Sequence, residues 1–143
     1  MFKIIFGIIL GIVLVTYYPN IITTTTNWFV DSGARDSIIE TLKEFKIEAH
    51  RRHSFTGVWV NDFKVAALGV KLSKWVSMHG FSLNINNNLK FYDGIIPCGL
   101  FQYDVTSMKS LLKKEVDINK VKEIITKKFV KNFSFEKVKF SNE

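Results

Sequence analysis

The chain carries a single cysteine, Cys98, so no disulfide can close within it and its fold does not rest on oxidation. It has no Gly-rich phosphate loop, which leaves the nucleotide-binding classes without their signature. It has no internal repeat, which excludes a solenoid or propeller. Few aromatics interleave with the C-terminal lysines ahead of Phe129, so the stacking platform that holds single-stranded nucleic acid is missing and no nucleic-acid partner is expected. No metal or cofactor is expected either. Between Lys3 and Asp31 there is no charged residue at all.

That uncharged stretch opens with an almost wholly apolar run, Ile4 to Tyr18. With Met1, Phe2 and the Tyr17-Tyr18-Pro19 border it reaches the lower limit of a bilayer span. Tyr17 and Tyr18 suit the membrane interface, and Gly7 and Gly11 form a Gly-x-x-x-Gly pair of the kind that lets helices approach closely. No small-x-small cleavage site follows, so an uncleaved anchor is the expectation rather than a signal peptide. The organisation expected is an anchor helix over 1–20, a linker over 21–36 and a single region over 37–143. Lys3 and the amino terminus precede the run, and by the positive-inside rule they direct the rest of the chain outward; long domains override so weak a bias.

The 143 residues are 47% apolar and include 13 Phe, a globular or membrane-associated composition rather than a disordered one. The formal charge of +7 is concentrated late, with ten Lys against five acids from Lys109 onward. Such an excess fits either an acidic partner or a solvated helix face.

Asp31-Ser32-Gly33 reads as a break. Ile38, Ile39, Leu42 and Phe45 then repeat at the spacing of one helix face, predicting a helix from Ala34 to Phe45. The basic run His50-Arg51-Arg52-His53 reads as a loop. Phe55 to Asn61 and Lys64 to Leu72 are strands joined by a tight turn at Asn61-Asp62. The first is apolar on both faces, as an inner strand is. A third strand runs from Trp75 to Ile85, and Asn84 to Asn88 makes a polar turn. Two helices follow: one from Thr106 to Lys114, capped by Thr106 or Ser107, and one from Asp117 or Ile118 to Phe133 with Val121, Ile125 and Phe129 as its apolar stripe.

Chemistry gathers around a few positions. Cys98 lies between Pro97 and Gly99, fixed on one side and permissive on the other, a turn from which a thiol can meet a substrate. Acyl transfer needs a nucleophile, a proton acceptor and donors for the developing oxyanion. The candidates are Cys98, then Lys64 or His79, then backbone N–H groups around Gly99. A lysine serves as a base only where burial or a neighbouring cation favours its neutral form, and Lys64 stands beside Val65-Ala66-Ala67. Ala66, Ala67 and Gly69 are small residues inside a strand, a pattern that marks close approach of a ligand or another backbone.

Gly57-Val58-Trp59-Val60, the run from Lys64 to Lys71, the run from His79 to Asn86, Pro97-Cys98-Gly99 and Val105-Thr106-Ser107 resemble, in that order, the motifs of the lipoyl (octanoyl) transferase family. The resemblance implies an α+β fold: part of the mixed sheet of the lipoate and biotin ligases with packed helices, here behind an apolar membrane-type helix. It implies an enzyme that takes octanoyl from acyl carrier protein and places it on a lysine of a lipoyl domain. Cys98 would form the acyl thioester, Lys64 would act as base, and Ala66, Ala67, Gly69, His79, Gly80 and Gly99 would line the substrate pocket. Both protein partners are acidic, which suits the basic tail, and both are cytoplasmic, so the transferase-like region is expected there, tethered to a membrane by 1–20. The family's first half, with its Arg-Gly-Gly and Thr-Tyr-His-Gly-Pro-Gly-Gln motifs, has no counterpart in Met1–Gly33. A second chain supplying that half is one expectation. A membrane-anchored structural or interaction protein with a silent transferase-like region is the alternative.

Overall fold

The computed structural model describes residues 33–136 apart from 54, 74–75, 93 and 95–103; over 70–73 and 76–79 it describes the backbone alone. The expected anchor over 1–20 therefore lies outside the described residues. Among the described helices none is long and apolar enough to cross a membrane.

Helix α1 (Arg35–Glu44) forms where the apolar spacing placed it, with Ile38 and Leu42 fully buried. Its buried face also carries Ser37 and Thr41, whose hydroxyls donate to the carbonyls of Gly33 at 2.8 Å and Ser37 at 2.7 Å. Each thereby satisfies itself inside the helix, and burial leaves no hydroxyl orphaned. Lys46 takes the left-handed conformation at φ 60°, and the Ile47 N–H reaches back to the Leu42 carbonyl at 3.1 Å. The helix thus ends in a Schellman turn with lysine where glycine is usual.

Four strands follow: β1 (His50–Arg52), β2 (Phe55–Val60), β3 (Phe63–Ser73) and β4 (Val76–Leu83). They form one sheet in the order β1-β2-β3-β4, every neighbour antiparallel. β2 is an inner strand, as its two apolar faces require, with Val58, Trp59 and Val60 buried. Asn61, left-handed at φ 52°, turns the chain from Val60 to its partner Phe63.

Two expectations need correction. The run His50–Arg52 is an edge strand, not a loop: β2 needs a partner for its outer backbone groups, and Arg51 and Arg52 are held by Asp36 and Asp62. The sheet is not mixed within the described strands; parallel pairing is confined to one bridge, Lys64 to Val105. That bridge arises because β4 ends at Leu83, paired with Ala66, and the edge of β3 beyond that point is taken by 104–106.

Helix α2 spans Met108–Leu112, shorter than the expected Thr106–Lys114. Ser107 is its cap and accepts from the Ser110 N–H, while Thr106 is engaged in the bridge and Lys113 turns left-handed at φ 56°. Helix α3 (Ile118–Phe133) starts at Asp117, whose carboxylate accepts from the N–H groups of Asn119 and Lys120. Val121 is buried, and Ile125, Phe129 and Phe133 pack against the core that Ile38, Leu42, Val58, Val65 and Met108 make with it.

On the surface, α3 is tied to α1 by Lys128, 2.8 Å from Glu44 and 3.7 Å from Glu40. The hydrogen bond from Lys128, and then its charge, hold the exposed Glu44 carboxyl below its ordinary value of 4.5. A carboxyl depressed in the folded state stabilises fully above its unfolded value, and the contribution is lost as the pH falls from about 4.5 through the lowered folded value. The bond to Glu44 likewise raises Lys128 above 10.5, so its share is complete below that value and lost only as the pH rises through the raised one. The expected result is a small loss in thermal midpoint on acidification through that carboxylate window, less steep in Glu44→Gln and weakened by salt. Identical acid slopes for the two proteins would remove Glu44 from the account.

Candidate functional site

Lys64 stands second in β3, opposite Trp59 of β2. Between the pairs Trp59–Lys64 and Val58–Ala66 the register shifts by one, leaving an extra residue in β3. Such a bulge re-aims neighbouring side chains. Lys64 is buried, 7% exposed, an unusual position for a lysine. Its stem lies over Gly57: a Cβ there would come within 3.4 Å of Lys64 Cε and 2.6 Å of the Ala66 carbonyl oxygen. Gly57 also has φ +113°, a conformation that L side chains rarely adopt, so only glycine leaves both the backbone and the lysine stem where they are.

The Lys64 amine sits 5.0 Å from the centroid of the Trp59 ring, and the Arg52 guanidinium 5.3 Å from the same centroid. Among the described residues no carboxylate lies within ion-pair distance of Lys64. Its main chain is fixed on the side away from β2: its N–H donates to the Asp104 carbonyl and its carbonyl accepts from the Thr106 N–H, both at 2.9 Å.

Lys64 helps line a small hollow, partly open to solvent, with Ala66, Ala67 and Val105 as its apolar lining and Ser82, Asn84 and Tyr92 as its polar lining. Asn84 joins the surrounding segments. Its backbone N–H donates to Val65 and its backbone carbonyl accepts from Met108, while its amide donates to the Thr106 carbonyl at 3.0 Å. Its side-chain oxygen accepts from Asn87 at 3.2 Å and from the Tyr92 hydroxyl at 3.4 Å. Asn86 repeats the device one pleat on, donating to the Val116 carbonyl and accepting from the Val116 N–H.

Of the positions expected from sequence, the structure brings Lys64, Ala66 and Ala67 to this hollow. Gly69 and Gly80 face each other further along the β3–β4 ladder, and a Cβ at either would meet nothing within 4 Å among the described residues. His79 pairs with Val70 through its backbone; its side chain lies outside the described residues, as do Cys98 and Gly99. Cys98 falls midway between Tyr92, which lines the hollow, and Asp104, which is bonded to Lys64. Ser82, Asn84, Tyr92 and Val105 were not anticipated. Asn84 read as the start of a polar turn, and nothing local signals that it meets Thr106, which lies 22 positions later. Among the described residues no group of three His, Cys, Asp or Glu gathers to hold a metal ion. The arrangement offers a buried amine, a phenol and an amide around an apolar floor, suited to an apolar chain with a polar head.

Comparison with known proteins agrees with that chemistry. The family described as "Lipoyl protein ligase A/B catalytic domain" matches residues 20–130. An octanoyltransferase of Solibacter usitatus is 42% identical over 124 residues, covering 83% of this chain and 54% of the relative. One from Prochlorococcus marinus is 37% identical over 109 residues, covering 76% of this chain and 50% of the relative. The chain thus spans about half the length of the curated relatives it matches. Among solved structures, biotin protein ligase from Aquifex aeolicus superposes with a TM-score of 0.56 at 22% identity, over 71% of this chain and 43% of that one. P. falciparum LipL1 in complex with lipoate gives 0.55 at 20% identity, over 72% of this chain and 32% of that one. At such identities the likeness concerns the fold.

Proposed function

Because this chain belongs to the lipoyl protein ligase A/B catalytic-domain family, we propose that it moves an octanoyl group from acyl carrier protein to a lysine of a lipoyl domain. The observation that carries this reading is the buried Lys64, which with Ala66 and Ala67 lines a hollow whose lining and backbone anchors include both segments that flank Cys98. The octanoyltransferases it resembles share 37% and 42% identity with it.

In the first step Cys98 sulfur attacks the thioester carbonyl of the donor. Lys64 takes the thiol proton, the carrier's carbon–sulfur bond breaks, and the proton passes to the departing carrier thiolate. In the second step the acceptor lysine amine attacks the Cys98 thioester. Lys64 takes the amine proton and returns it to Cys98 as the amide forms, so the enzyme ends as it began. Orientation of the two reactants against one another supplies rate. In this reading a second chain contributes the remainder of the pocket, the basic C-terminal helix meets the acidic partners, and residues 1–20 hold the assembly at a membrane facing the cytoplasm.

Incubation with octanoyl-acyl carrier protein, followed by peptide mass spectrometry, is expected to show one octanoyl adduct on Cys98, labile to hydroxylamine and absent from Cys98→Ala. An unmodified Cys98 under conditions that acylate a full-length relative would end the proposal.

A further inference from the structure

We infer that the Tyr92 hydroxyl contacts the substrate, donating its hydrogen bond to the carbonyl oxygen of the acyl group in the Lys64 hollow, with Asn84 as its alternative acceptor. This rests on the acyl-transfer reading and adds to it a group that the motifs did not single out. Tyr92 ends the 3-10 turn Leu89–Tyr92 and lines the hollow together with Lys64. Its hydroxyl lies 3.4 Å from Asn84 Oδ1, well beyond the usual length of an O–H···O bond of about 2.7–2.8 Å. Asn84 does not depend on that bond, since the same oxygen also accepts from Asn87 at 3.2 Å. The phenol proton is therefore weakly engaged, and a stronger acceptor takes it at little cost.

Several other donors nearby are engaged among the described residues. The Asn84 amide donates to Thr106, the Asn84 N–H to Val65 and the Lys64 N–H to Asp104. The Lys64 amine rests on Trp59 and is the group assigned to proton transfer. An acyl carbonyl brings an acceptor and no donor, and it gains negative charge as the carbon becomes tetrahedral. A phenol on the wall of the hollow, turning from Asn84 to that oxygen, stabilises the charge. Ser82 carries the competing hydroxyl of the same lining, on the strand next to Ala67.

The test uses the full chain and a ketone analogue of octanoyl-pantetheine in which CH2 replaces the sulfur, labelled with 13C at the carbonyl. In the infrared, the bound carbonyl band is expected at lower frequency in the wild type than in Tyr92→Phe, which keeps the ring and removes only the hydroxyl. In turnover, Tyr92→Phe should lower kcat by about tenfold to a hundredfold, with KM and the thermal midpoint little changed. Equal bands in the two proteins overturn the assignment. So does a shift kept in Tyr92→Phe and lost in Ser82→Ala, which moves the role to Ser82. Failure of the analogue to bind counts against the hollow as the acyl site and takes the assignment with it. A wild type that forms no adduct on Cys98 defeats acyl transfer itself, whereas a normal adduct with undiminished turnover in Tyr92→Phe defeats only the role of Tyr92.

Discussion

On the proposed acyl-transfer reading, Lys64→Met is expected to leave a folded protein that no longer transfers octanoyl at a useful rate. Methionine has nearly the length of the lysine stem and no charge, so it fills the slot over Gly57 and against Trp59. The bonds that hold this end of β3, to Asp104 and Thr106, come from the main chain and survive the exchange. What disappears is the amine. A positioned acid–base group contributes about 10²–10⁴-fold in rate, or about 3–5 kcal/mol of barrier. Octanoylation of a lipoyl domain, followed by intact-mass spectrometry beside a thermal melt, separates the two effects. A variant that transfers within about twofold of wild type, where general-base loss predicts at least a hundredfold, rules out Lys64 as the base. Lys64→Arg is no substitute, because a planar guanidinium does not fit where the stem runs tightly over Gly57.

The largest loss of stability is expected from Trp59→Ala. Trp59 is fully buried in an inner strand, meets Phe55 edge to face at 6.0 Å, and carries Lys64 and Arg52 against its ring. Truncation removes the largest fully buried side chain among the described residues and leaves a cavity, at a cost of about 3–5 kcal/mol. It also removes the ring against which the Lys64 side chain lies. Against a total of about 5–15 kcal/mol for an ordinary domain, that is a large fraction. Urea unfolding should show a lower midpoint at an unchanged slope. Trp59→Phe keeps a ring and should lose less. A loss under about 1 kcal/mol for the alanine variant would mean that the site had collapsed around the gap.

Local patterns made most of the elements legible. The spacing of Ile38 and Leu42 fixed the buried face of α1, and that of Val121, Ile125 and Phe129 fixed the inner face of α3. Asn61-Asp62 announced the β2–β3 hairpin through its own turn chemistry. The failures share one cause, which is partners distant in sequence. His50–Arg52 has no strand-like composition; it is a strand because β2 offers an open edge and Asp36 and Asp62 offer counter-charges. Thr106 is a reasonable cap by type, yet its N–H is claimed by Lys64, and Ser107 takes the role. For the site, Lys64 was reached through the family resemblance, since a lysine in a strand faces solvent by default, and the two alanines drew notice as small residues inside a strand. Asn84 and Tyr92 stood out in no way, since an asparagine before a polar turn and a tyrosine in a short loop are ordinary until the fold juxtaposes them. Val105 belonged to a motif of the resemblance, but its backbone pairing with Lys64 is something that no side-chain pattern records.

The handover of the β3 edge from β4 to 104–106 has a consequence for biosynthesis. A nascent chain emerging amino end first can zip β1 through β4 as a simple meander, each strand finding its neighbour at once. Lys64 then waits with its outward backbone groups bound only to water until Val105 clears the ribosome and docks. The hollow beside Lys64 is thus among the last features of the sheet to close, and a chain cut short before that point would have its strands in place and the outer edge of β3 at Lys64 still open to solvent.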